Sequence, residues 1–135
     1  MRCHLLPALA LTLAIPVIAA AQEPADGKAT FEATCVACHT LEPPVKLAPP
    51  MMMIARHYRQ RFTTDSAGIA ALTAWVLAPD SSRSALPAHA IARFGLMPKP
   101  AVDSIQARAV ARHVWELGGT AATGMGMGAR TASAS

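Results

Sequence analysis

Apolar positions recur at helical spacing in several proline-free stretches, and prolines and glycines punctuate the chain between them. Asp26 to Thr40 holds no proline and carries Phe31 and Val36 among alanines, which predicts a first helix. Leu41 to Pro50 contains four prolines and reads as a loop. Met51 to Phe62 is apolar, then basic, and predicts a short helix with Pro49-Pro50 at its start. Thr64 or Asp65 can cap the next helix, which sets Ile69, Leu72, Trp75 and Val76 along one side and stops at Ala78 before Pro79. Pro79 to Pro87 is turn-rich, and His89 to Phe94 predicts another short helix. Asp103 followed by Gln106 has the spacing of a capping box. The last helix then carries Ile105, Val110, Val114, Trp115 and Leu117 and is expected to stop at Gly118-Gly119. No strand-like alternation and no internal repeat occurs, so the expected fold class is all-α.

Composition adds a difficulty to this picture. Of the 135 residues 53% are apolar, but 30 are alanine and only six are aromatic. Large side chains are scarce, and a small domain built this way usually needs a disulfide, a metal or a cofactor to complete its core. Charged residues are only 15%, which argues against a disordered polyelectrolyte or a long coiled coil.

Residues 1–21 stand apart. Arg2 supplies a positive start, Leu5 to Ala14 is nearly all Leu and Ala, and Ala19-Ala20-Ala21 offers small residues for cleavage. This is the layout of a secretory signal peptide, and it predicts export to the periplasm with cleavage near Ala21. A membrane anchor is the competing interpretation, but Pro7 and Pro16 interrupt the apolar run, so no stable anchor is expected. The expected organisation is a leader over 1–21, one domain over 22–119 and a flexible Gly/Ala/Ser/Thr-rich tail over 120–135.

Removing the leader removes Cys3 and leaves Cys35 and Cys38, separated by Val36-Ala37 and followed by His39. Cys-x-x-Cys-His is the c-type haem attachment signature. Two thiols one helical turn apart can both reach the vinyl groups of one porphyrin edge, and the next residue brings an imidazole toward the iron. Three other uses of the pair are weaker. A redox disulfide ordinarily opens a helix in a thioredoxin-like sheet, for which no strands are present. Zinc needs two more ligands, and His57 and His89 lack paired spacing. A disulfide across two residues closes a strained loop.

From about Asp26 to Leu117 the chain resembles the class I small monohaem c-type cytochromes, which are bacterial electron carriers. The resemblance rests on Gly27 and Phe31 ahead of Cys35-Val36-Ala37-Cys38-His39, on the proline-bearing loop that follows, and on Met97-Pro98. It implies helices folded around one covalent haem, with the first and last helices crossing at Gly27 and Phe31. The haem would then be the large apolar body that the composition lacks. The family pattern sets the sixth iron ligand late in the chain, on a loop before the last helix, which selects Met97. A thioether is a soft ligand that favours ferrous iron. Met51, Met52 and Met53 are expected to line the haem wall, with one of them as the fallback ligand. Pro49 or Pro50 could supply the carbonyl that orients His39, and the resemblance favours Pro50.

The basic run Arg56-His57-Tyr58-Arg59-Gln60-Arg61 has two interpretations. It can be a solvated helix face, or Tyr58 with Arg56 or Arg59 can hold a haem propionate. Trp75 is a further donor for that group. The formal charge of +4 comes without a dense basic face interleaved with aromatics, so no nucleic-acid partner is expected. The expected function is one-electron transfer between redox partner proteins, without enzymatic activity. Two alternatives remain open: a haem enzyme or gas sensor with a displaceable sixth ligand, and a haem subunit of a larger oxidoreductase.

Overall fold

The computed structural model describes residues 25–127, with side chains through Gly119; the predicted leader and residues 128–135 of the predicted tail lie outside the described residues. Within that span the fold is all-α. It consists of α1 (Gly27–Thr34), α2 (Met51–Arg61), α3 (Asp65–Leu77), α4 (Ala88–Phe94) and α5 (Ser104–Met127), with a 3₁₀ turn at Ser81–Arg83. No helix among the described residues is long and apolar enough to cross a membrane.

Local chemistry explains most helix starts. The Asp26 carboxylate accepts from the Lys28 and Ala29 amides at 2.9 and 3.2 Å and opens α1. Thr64, not Asp65, caps α3 by accepting from the Ala67 amide. Asp103 and Gln106 form the expected reciprocal box: the Asp103 amide donates to Gln106 Oε1 at 3.0 Å, and the Gln106 amide donates to Asp103 Oδ1 at 2.8 Å. At α2 no side chain caps; the Met51 and Met52 amides donate instead to the Thr40 and Leu41 carbonyls of the preceding loop.

Two boundaries differ from expectation, each for a tertiary reason. α1 ends at Thr34 and not at Thr40. The Cys38 carbonyl, which a longer helix would use internally, accepts from the Leu47 and Ala48 amides, so the following loop takes over the chain at the cysteines. At the other end α5 passes straight through Gly118-Gly119 and reaches Met127, so the expected helix stop is corrected. The glycines serve close packing. A Cβ at Gly118 would stand 3.1 Å from Ala55 on α2 and 3.1 Å from Arg59 Cδ. That contact offsets the roughly 1 kcal/mol cost of glycine inside a helix.

α5 is the spine against which α1, α2 and α3 pack. Its buried positions Val110, Ala111, Val114 and Trp115 meet Phe31, Ala55, Tyr58, Ile69 and Leu72. Trp115 lies against Gly68 of α3, donates its indole N–H to Asp65 Oδ1 at 2.8 Å, and carries the Arg59 guanidinium 4.4 Å from its ring centroid. At the α1–α5 crossing, a Cβ on Gly27 would fall on the Ala109 carbonyl, while Phe31 and His113 meet at 5.4 Å between ring centroids. Backbone cannot yield as a flexible side chain does. Gly27→Ala is therefore expected to destabilise the protein by about 1–3 kcal/mol, by forcing α1 away from α5. Thermal melts of the variant and its parent check this.

Candidate functional site

The end of α1, the loop to α2, and helices α2 to α5 enclose an apolar cavity of about 380 Å³ that opens to solvent. Its walls are mostly apolar side chains and its size is that of a small-molecule or cofactor pocket.

Cys35, Cys38 and His39 all line this cavity. The turn over 35–38 is held by the Cys38 and His39 amides, which donate to the Cys35 carbonyl at 3.2 and 3.0 Å. Val36 and Ala37 face solvent, while the two thiols are half-buried and free. Burial first, and then neighbouring Cys38, push the Cys35 thiol above its ordinary value.

His39 is buried, and its Nδ1 lies 2.7 Å from the Pro49 carbonyl. A carbonyl can only accept, so Nδ1 carries the proton and Nε2 keeps the lone pair. Burial lowers the basicity of the ring, and the Pro49 hydrogen bond offsets part of that. The result is a neutral imidazole of fixed tautomer and orientation, the form a metal needs. The orienting carbonyl is that of Pro49, which corrects the expectation of Pro50. Pro50 instead precedes α2 and uses its own carbonyl to accept from the Met53 and Ile54 amides.

Met97 reaches the same cavity from the other end of the chain. Gly95 makes this possible: its φ of 76° is one that L side chains rarely adopt, and it turns the chain out of α4. The segment Leu96-Met97-Pro98 then runs along the cavity before Asp103 starts α5. Of the three consecutive methionines only Met51 lines the cavity; Met52 and Met53 do not.

Among the propionate candidates, Tyr58 and Trp75 line the cavity, and Arg56 and Arg59 do not. Arg59 lies over Trp115 and donates its Nε–H to the Trp115 carbonyl at 2.9 Å, so its expected cofactor role is corrected to a packing role between α2 and α5. The periodicity of α2 separates neighbours by about 100°, which is why adjacent Tyr58 and Arg59 serve different faces. The cations near Tyr58 are Arg61, which donates to the Ser84 carbonyl at 2.7 Å, and Arg83. Burial drives the Tyr58 phenol up to about 12, against the lesser opposing pull of Arg61, the Ala85 amide and Arg83.

The sequence holds a single tyrosine, so an alkaline titration of phenolate absorbance reads Tyr58 alone. The expected midpoint is near pH 12 in the folded protein, against the ordinary value of 10.0. Between those values the unfolded chain has lost the proton that the folded one retains. Stability should accordingly be unaffected by this group below about pH 10 and fall as pH rises toward 12.

Ser84, Lys99 and the α4 residues Ala90, Ile91 and Phe94 also line the cavity, and nothing in their sequence context singles them out. Among the described residues no three His, Cys, Asp or Glu side chains converge as they would around zinc. No protein-family model, curated protein or solved structure matches this chain.

Proposed function

We propose that this protein is an exported one-electron carrier of the periplasm, a small cytochrome c-like fold around one haem c. The observation that carries the proposal is that two free thiols, an oriented neutral imidazole and a thioether all line one apolar cavity. Cys35 and Cys38 would hold the haem as thioethers, and His39 Nε2 and Met97 Sδ would ligate its iron. Bound there, haem c supplies a one-electron couple between ferric and ferrous iron. The residues do the rest. The Pro49 carbonyl holds the imidazole, the apolar walls exclude water, and the helices packed on α5 limit rearrangement when charge arrives or leaves.

Tyr58, Ser84 and Trp75 are polar groups of the lining, with Arg61 near Tyr58 and Ser84, and such donors suit the carboxylates of the cofactor. The Ser84 hydroxyl accepts from the Leu86 amide at 3.1 Å and keeps its own proton to donate. The described lining contains no carboxylate, which supports electron carriage over the acid–base cleavage of an O–O bond. Electron donor and acceptor proteins are the partners this function requires.

An absorption spectrum of the purified protein, oxidised and reduced, tests the proposal. The expected result is a covalent haem that resists acid-acetone extraction, a low-spin spectrum in both states, and no ready reaction with carbon monoxide. An extractable or absent haem would overturn it, and prompt carbon monoxide binding by the unmodified protein would favour a gas sensor or enzyme.

A further inference from the structure

α5 presents a second face away from the cavity. Val110 and Val114 look into the cavity, whereas Ile105, Arg108, Arg112 and Glu116 line a groove at the α1–α5 crossing. At about 100° per residue these two sets are centred about 180° apart on the helix. The groove, of about 660 Å³, shares no lining residue with the cavity.

Its charge is distinctive. Arg108 and Arg112 contribute cations, Lys28 beside them is paired with Glu32 at 3.9 Å, and His113 lies among them. Among the described residues no carboxylate stands within ion-pair distance of Arg108 or Arg112, both of which are exposed. The carboxylates present are Asp26, engaged in capping α1, and Glu116. Ile105, 40% exposed, supplies an apolar anchor at the same place.

We infer that this groove docks an acidic peptide segment of a partner protein, whose carboxylates pair with Arg108 and Arg112 and whose apolar side chain covers Ile105. Arginines four residues apart lie on one helix face and can each take a carboxylate in bidentate fashion. A nucleic-acid backbone or an anionic lipid surface is a less good match, because its continuous phosphates would also meet Asp26 and Glu116. A peptide can keep its carboxylates away from both. Docking here leaves the cavity on the other side of α5 uncovered. The inference does not depend on the haem proposal, since no groove residue belongs to the cavity.

The test uses the purified full chain and a fluorescent synthetic peptide of glutamates flanking two central leucines, with anisotropy read at low and at physiological ionic strength. The parent protein should bind the peptide with salt-sensitive affinity. Arg108→Glu with Arg112→Glu should weaken binding at least tenfold, Arg108→Gln with Arg112→Gln less, and Arg108→Lys with Arg112→Lys least. Arg56→Glu with Arg93→Glu changes net charge equally but lies outside the groove, and should leave the affinity within about twofold of the parent. Circular dichroism confirms that each variant is folded; these exposed side chains carry no packing that unfolding would require. Absence of binding by the parent overturns the inference. So does equal loss in the control pair, which would mean attraction by net charge alone. Tighter, groove-dependent binding of anionic phospholipid vesicles or of a short RNA than of the peptide would overturn the choice of partner.

Discussion

Met97→Ala should abolish the weak far-red sulfur-to-iron charge-transfer band of the oxidised protein and open the iron to carbon monoxide and cyanide. It should also lower the reduction potential by on the order of 0.2 V, a fraction of the roughly 0.8 V over which axial ligands tune haem. The sign follows from ligand softness. A thioether stabilises ferrous iron more than ferric, and water or an empty position does not. His39 should continue to hold its side, because the Pro49 carbonyl that orients it takes nothing from the Met97 side chain. Met51 is the informative control, since it alone of Met51, Met52 and Met53 lines the cavity. Met51→Leu preserves apolar volume at a wall position and should keep the band. If Met97→Ala retains the band and Met51→Leu loses it, the sixth ligand is Met51 and electron carriage still stands.

Cys35→Ala combined with Cys38→Ala should have the largest effect on stability. On the proposed function, a haem without thioethers would be held only by its iron ligands and apolar contacts, and could leave. The apolar walls of the cavity of about 380 Å³ would then face water, and the stabilisation from burying them would be lost. The expected product is colourless or loses haem on dilution, and it has lost most of its helix content. Circular dichroism and the absorption spectrum check this together. A double variant that keeps both the parent spectrum and the parent helicity would overturn covalent attachment.

The helices were legible because their signals are local. Asp26, Thr64 and the Asp103–Gln106 pair cap within three residues of themselves, and proline-rich breaks separate the apolar runs. That Cys35, Cys38 and His39 would lie together was equally legible, since it depends only on spacing along one turn. For Met97 only the family resemblance implied a place at the cavity, because nothing in a Met-Pro step by itself tells which side of a loop faces inward.

What stayed hidden depends on partners distant in the chain. Whether Pro49 or Pro50 orients His39 turns on which carbonyl points inward, and two adjacent prolines look alike in sequence. Arg59 and Tyr58 are neighbours, yet Trp115, 56 residues beyond Arg59, draws the guanidinium onto α5 and leaves only the phenol to the cavity. Gly118-Gly119 resembles a helix stop until Ala55 and Arg59 are seen pressing on it. The sequence by itself determined the helices, the scarcity of large side chains and the closeness of Cys35, Cys38 and His39, since each is a matter of residue type and short spacing. Tertiary structure alone decided which side chains share the cavity, which cations pack against the core, and where α5 turns an unpaired arginine face to solvent. Those outcomes follow from long-range packing, which no local pattern encodes.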